Sequence, residues 1–118
     1  MKEIALITCS GVSNTGKLTE QAAKYFAQQY PGTIDYLISA KKIDELNDLD
    51  REDTTLVLLE GCDEGCVLKK LAPYKIKPDI ILRTTELGVV KHGMDEPVFT
   101  DIEKIAGELK KSIRNLEE

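Results

Sequence analysis

Thr54-Thr55-Leu56-Val57-Leu58-Leu59-Glu60-Gly61-Cys62-Asp63-Glu64-Gly65-Cys66 joins the most strand-like run of the chain to a turn that carries two of its three cysteines. A short, continuous apolar run bounded by turn residues reads as a strand covered on both faces, the signature of a parallel sheet. A chain leaving such a strand must cross back over the sheet. Cys66, Val67, Leu68 and Leu71 supply the spacing of a crossover helix, and Pro73 stops it because proline cannot continue the hydrogen-bond ladder.

The same unit recurs on either side. Residues 3–8 are a second continuous apolar run, followed by Cys9 and a turn-rich loop through Asn14. Over residues 15–29, Leu18, Ala22 and Phe26 recur every four positions with Ala23 and Ala27 beside them, an amphipathic helix ended by Pro31-Gly32. Residues 34–38 make a weaker strand, and 42–49 a short helix with Ile43 and Leu46 inward. The acids between positions 44 and 53 read as a solvated face. A fourth strand spans 79–82, and a long loop with Gly88 and Gly93 spans 84–98. Thr100-Asp101-Ile102-Glu103 has the pattern of a capping box opening a last helix, with Ile102, Ile105, Ala106, Leu109, Ile113 and Leu116 on one face.

Four strands alternating with four helices predict an α/β fold: a three-layer α/β/α sandwich around a four-stranded parallel sheet. Right-handed crossovers in so small a unit favour the flavodoxin-like strand order 2-1-3-4. Strands one and three are then neighbours whose connections leave toward opposite faces, which opens a crevice at their carboxyl ends. Cys9 and Cys62 lie just beyond those ends, and adjacent strands are about 5 Å apart, so the thiols are expected to converge.

Cys62 and Cys66 are spaced i, i+4; a helix beginning near Cys62 would present both sulfurs on one face of its first turn, where free amides favour thiolates. Three thiolates form a soft ligand set that selects zinc, copper(I) or an iron-sulfur cluster over magnesium or calcium. Zinc takes four ligands. The fourth place falls to water, Glu60, Asp63 or His92, the chain's one histidine, whose loop follows strand four. A [4Fe-4S] cluster held by three cysteines is the alternative. The plainer reading of each cysteine is a small buried hydrophobe, and of His92 an exposed loop residue.

The whole chain, 1–118, fits one domain: 118 residues, 42% hydrophobic and 31% charged, are enough for a single core. A net charge of -5 from intermingled acids and bases, with 5% aromatics and no Trp, argues against nucleic-acid and membrane-surface partners. Met1-Lys2-Glu3 runs directly into the first strand without a signal-peptide core, and no apolar segment approaches the roughly 20 residues of a membrane span. A cytoplasmic location is expected, and there an odd number of cysteines reads as ligands or reactive thiols.

Ile4-Ala5-Leu6-Ile7-Thr8-Cys9-Ser10-Gly11, Leu59-Glu60-Gly61-Cys62-Asp63-Glu64-Gly65-Cys66 and Glu86-Leu87-Gly88-Val89-Val90-Lys91 together resemble the DGC-domain family, small prokaryotic proteins described as zinc-binding. The resemblance covers nearly the whole chain in the same order. It implies that Cys9, Cys62 and Cys66 occupy the family's cysteine positions and hold a metal expected to be zinc. The family takes its name from an Asp-Gly-Cys step; here Glu60 stands for the Asp, one methylene longer. The family pattern requires no histidine at position 92 and specifies no reaction.

Three other readings use the same residues. A thiol redox or sulfur-carrier protein would employ Cys62 as nucleophile and Cys66 or Cys9 as resolving thiol. Gly11-Val12-Ser13-Asn14-Thr15-Gly16-Lys17 has the form of a phosphate-binding loop, but Leu18 stands where a hydroxyl should hold magnesium. A cysteine-phosphatase loop beginning at Cys9 would need an arginine where Thr15 stands.

Overall fold

The computed structural model describes residues 3–9, 11, 13–49, 52–61, 65–90 and 92–116. Strand β1 (Glu3–Thr8) leads into helix α1 (Asn14–Gln29), then β2 (Tyr36–Ser39) and a 3-10 helical stretch (Ala40–Asp48). Strand β3 (Thr54–Glu60) is followed by α2 (Cys66–Leu71), a 3-10 turn (Ala72–Tyr74), β4 (Ile80–Arg83) and α3 (Phe99–Leu116). The strands pair in parallel in the order β2-β1-β3-β4, the doubly wound arrangement expected from the alternation of elements.

Both faces of the sheet are covered, which is why β1 and β3 are apolar without alternation. Ile4, Leu6, Val57 and Leu59 point to one face and pack with Leu18 and Phe26 of α1 and Ile105 and Leu109 of α3. Ala5, Ile7, Leu56 and Leu58 point to the other and meet Ile43 and Leu46 of the 3-10 stretch and Val67 and Leu71 of α2. Burying one such side chain contributes about 1.5–3 kcal/mol, so the two layers together dominate the fold's stability.

Two aspartates set the register at the amino end of the sheet. The Asp35 carboxylate accepts the Ile4 amide at 2.7 Å while its own amide donates to the Ile4 carbonyl at 2.9 Å. Asp79 repeats the device on the other side of the sheet: its carboxylate accepts the Leu56 amide at 2.8 Å and its amide donates to the Leu56 carbonyl at 2.8 Å. Each carboxylate satisfies an amide that the shorter neighbouring strand leaves without a ladder partner.

Several expected boundaries move. Strand β2 starts at Tyr36 rather than at 34, because Asp35 is engaged in the side-chain bond just described. The second helix is a 3-10 stretch, capped by the Ser39 hydroxyl, which accepts the Lys41 amide. Helix α3 begins at Phe99, so Thr100 lies inside its first turn instead of capping it; the Val98 carbonyl accepts the amides of Asp101 and Ile102. Most consequentially, α2 begins at Cys66, not near Cys62, after Gly65 in the left-handed region at φ +65°. Cys66 therefore opens α2, and the expected placement of Cys62 lies outside the described residues.

Candidate metal centre

The register of the sheet decides what meets at its carboxyl edge. Thr8 of β1 pairs with Leu59 of β3, and Glu60, the last residue of β3, pairs with Arg83 of β4. Cys9, Glu60 and Arg83 thus fall in one row across neighbouring strands. They lie on the α2 side of the sheet: Cys9 belongs to the core cluster of that face, and Glu60 continues the alternation of Leu56 and Leu58. Cys66 opens the helix that covers that face and is exposed.

Cys9 is buried and held from three sides. Its amide donates to Thr19 Oγ1 at 3.0 Å, and the Thr19 hydroxyl faces the carbonyls of Gly16, 2.8 Å away, and of Cys9, 3.3 Å away. The Gly11 amide donates to Cys9 Sγ at 3.4 Å. A backbone amide aimed at the sulfur is a partner that a metal-bound thiolate retains.

Glycines let the surrounding loops close onto one another. A Cβ on Gly16 would lie 2.8 Å from the Gly11 carbonyl oxygen, and one on Gly61 would lie 2.8 Å from Gly16 Cα and 2.9 Å from the Thr15 carbonyl oxygen. The loop after β1, the first turn of α1 and the loop after β3 are thus stacked backbone on backbone. Thr84, fully buried, fastens the β3 end from the other side: its amide donates to the Glu60 carbonyl at 3.0 Å and its hydroxyl to the Gly61 carbonyl at 3.2 Å. The residue immediately before Cys62 is therefore fixed on both flanks.

Glu60 is 1% exposed. One carboxylate oxygen, Oε1, accepts the Val67 amide at 3.0 Å, while Oε2 is buried without a hydrogen-bond partner. Burial pushes the carboxyl above its ordinary range, opposed by the Val67 amide, the Arg83 guanidinium and the Leu68 amide. Arg83 donates from Nη1 to Glu86 at 3.0 Å, and its Nε is buried without a partner.

The loop after β4 closes the crevice near α1. Asn14, nearly buried, donates from its amide to the Gly93 carbonyl at 2.8 Å and from Nδ2 to the Val90 carbonyl at 2.9 Å, and its Oδ1 accepts the His92 amide at 2.6 Å. Lys17 Nζ donates to the Met94 carbonyl at 2.8 Å and pairs with Glu96 at 2.9 Å. The lysine of the phosphate-loop pattern is thus engaged with this strap, and Ser13 Oγ accepts the Gly16 amide as an ordinary helix cap. His92 is placed at the α1 end of the crevice with its side chain exposed. Sequence reasoning passed over Asn14, Thr19 and Thr84. Asn14 entered only as the end of the turn-rich loop and as a member of the phosphate-loop pattern.

The model of the DGC domain family matches residues 5–109, a span from β1 through most of α3 that contains all three cysteines. The chain belongs to the DGC domain family. No curated protein and no solved structure matches it. Among the described residues of this DGC domain, no group of three or more His, Cys, Asp and Glu side chains is placed to hold a metal ion, so Cys9, Cys66, Glu60 and His92 do not form such a site by themselves. Cys62, with Asp63 and Glu64, lies outside the described residues. The donors that are described suit a thiolate-held metal in kind: an amide faces the Cys9 sulfur, and a carboxylate is buried between the cysteine-bearing elements with an oxygen left over. No helix among the described residues is long and apolar enough to cross a membrane.

Proposed function

We propose that this DGC-domain protein binds a metal ion, zinc, through the thiolates of Cys9, Cys62 and Cys66 at the carboxyl edge of its sheet. The observation that carries the reading is the pairing of Thr8 with Leu59. It puts Cys9 level with Glu60, two residues before Cys62, on the face that α2 covers starting with Cys66. Soft sulfur donors favour zinc or an iron-sulfur cluster over hard cations. Three protein ligands leave zinc one position for water, for His92 or for a substrate, the pattern of sites that do chemistry rather than closed structural ones. A bound zinc would supply Lewis acidity there.

Elemental analysis together with an absorption spectrum of anaerobically purified protein tests this. About one equivalent of zinc per chain and no visible charge-transfer band is the expected result. A visible thiolate-to-iron band would transfer the same three ligands to a [4Fe-4S] cluster. Protein that retains no metal after exposure to excess zinc or to iron and sulfide would end the proposal.

A further inference from the structure

Strand β4 ends one side of the sheet, and its outer edge is open. Ile81, in the middle of the strand, is 41% exposed although its register partner Leu58 is fully buried. Ile80 and Leu82, on the opposite face, are partly buried at the rim of the core formed with α1 and α3. Two bonds fix which way the backbone groups point. The Glu3 amide donates to the Asp53 carbonyl at 2.9 Å, so odd-numbered residues of β3 turn their peptide groups toward β1, and Leu56, Leu58 and Glu60 turn theirs toward β4. On β4 the Thr84 amide meets the Glu60 carbonyl at 3.0 Å, so Ile80 and Leu82 also turn inward, while Ile81 and Arg83 turn outward. A trans peptide points its C=O away from its N–H, so the Asp79 carbonyl faces outward too. Among the described residues, no turn or loop backbone bonds the Ile81 amide or carbonyl, the Arg83 amide or the Asp79 carbonyl.

This edge is its own complement. It presents an acceptor at Asp79, a donor and an acceptor at Ile81, and a donor at Arg83; the Asp79 amide and the Arg83 carbonyl are engaged within the chain, with the Leu56 carbonyl at 2.8 Å and the Leu87 amide at 3.1 Å. Laid antiparallel against a second copy with Ile81 on a two-fold axis, Ile81 exchanges both bonds with the partner's Ile81. Each Arg83 amide then donates to the partner's Asp79 carbonyl. The side chains agree with the backbone. Ile81 meets the partner's Ile81 on the α2 face, and Ile80 meets the partner's Leu82 on the other, extending the half-covered core rim. The Asp79 carboxylate stands opposite the partner's Arg83 guanidinium, and apolar and opposite-charge pairs of this kind stabilise neighbouring strands. The β2 edge lacks this match. The corresponding register sets Asp35 opposite the partner's Ser39, and Glu20, Lys41, Lys42 and Glu45 surround Leu37 and Ser39, charges that blunt an edge.

We propose that the protein self-associates through β4, two copies joining edge to edge about a two-fold axis at Ile81 to form one continuous sheet. An open edge with apolar side chains is a template for another strand, and isologous pairing satisfies both edges in one closed contact. The strands run in opposite directions across the axis, so the two carboxyl edges, with their Cys9 residues, face opposite ways. The contact is short, which makes the association reversible and dependent on concentration.

Sedimentation of the full chain as purified, from micromolar to millimolar concentration, tests the pairing. Wild type is expected to move from the mass of one chain toward that of two. Ile81→Lys, which brings two ammonium groups together at the axis, should remain at the mass of one, and Leu37→Lys on the β2 edge should associate like wild type. Hydrogen exchange should slow about tenfold or more at the Ile81 and Arg83 amides between low and high concentration, with no change at Ile80 and Leu82, which already bond β3. Wild type that stays at the mass of one chain, association that survives Ile81→Lys, or association abolished in a folded Leu37→Lys would each overturn the proposal. Should Ile81→Lys fail to fold, Ile81→Cys decides. Directly opposed, hydrogen-bonded residues of antiparallel strands have Cα atoms about 5.5 Å apart, within reach of a disulfide. Mild oxidation should then join the two introduced thiols, identified by mass spectrometry, and failure to form that bond in the associated protein overturns the pairing.

Discussion

Gly16 and Gly61 touch backbone to backbone: a Cβ on Gly61 would stand 2.8 Å from Gly16 Cα and 2.9 Å from its nitrogen. Real Cβ atoms do not approach backbone that closely, and neither loop can yield without dragging a strand end with it. Gly61→Ala is therefore expected to lower stability by about 1–3 kcal/mol, the usual cost of forcing a methyl into a packed contact. Gly107 is the control. It lies within α3, and a methyl added there would meet nothing within 4 Å, so Gly107→Ala should stabilise by about 0.5–1 kcal/mol through helix propensity alone. Urea unfolding of the two variants checks both signs; equal effects would mean that the close approach of the loops carries no weight.

Asn14 ties residues 90–93 to the first turn of α1 with two side-chain bonds and one backbone bond. Asn14→Ala removes the side-chain pair and strands the His92 amide and the Val90 carbonyl. A net loss of about 1–3 kcal/mol is expected, with faster exchange at the His92 amide and unchanged protection in β1. Asn14→Asp retains the acceptor for His92 but lacks the donor to Val90, so it should fall between. An alanine variant in which His92 stays as protected as in wild type would show that the strap is held by other means.

The pair Lys17–Glu96 makes the same strap sensitive to acid. The Lys17 ammonium holds the Glu96 carboxyl below its ordinary value of 4.5, first by hydrogen bonding and then by charge. A depressed folded-state value means that the pair's stabilisation is present above pH 4.5 and is lost as pH falls through the lower folded value. Both groups are open to solvent, so the contribution is small and weakens with salt. Titration of the Glu96 carboxyl by carbon-detected NMR should give a midpoint below 4.5 in wild type that returns to the ordinary range in Lys17→Ala. A midpoint indifferent to Lys17 would separate the two residues in solution.

Fold and site differ in how far local sequence reports them. The order of strands followed from apolar runs such as 4–7 and 56–59, whose continuity requires helices on both faces, and from the handedness of crossovers. The start of α2 did not follow, because Cys62 and Cys66 have helical spacing while Gly65, left-handed at φ +65°, delays the helix to Cys66. Glu60 read as a metal ligand or an outer partner from its place beside Cys62; that it accepts the Val67 amide depends on how α2 returns over β3. Asn14 bonds residues 76 and 78 positions away, a separation at which composition and periodicity carry no signal.

The three-cysteine proposal makes its own forecast at position 62. Cys62 directly follows Gly61, which is clamped between Gly16 and Thr84. Cys62→Ser exchanges a soft thiolate for a hard hydroxyl that stays protonated at neutral pH, and most bound zinc should be lost, with affinity down by about a hundredfold or more. His92 lies on the strap with an exposed side chain, and the family pattern does not require it, so His92→Ala should leave at least about half of the zinc in place. Comparing zinc content after dialysis against a mild chelator separates the residues. Full retention in Cys62→Ser would remove position 62 from the ligand set, and loss in His92→Ala equal to that in Cys62→Ser would make the histidine the fourth ligand.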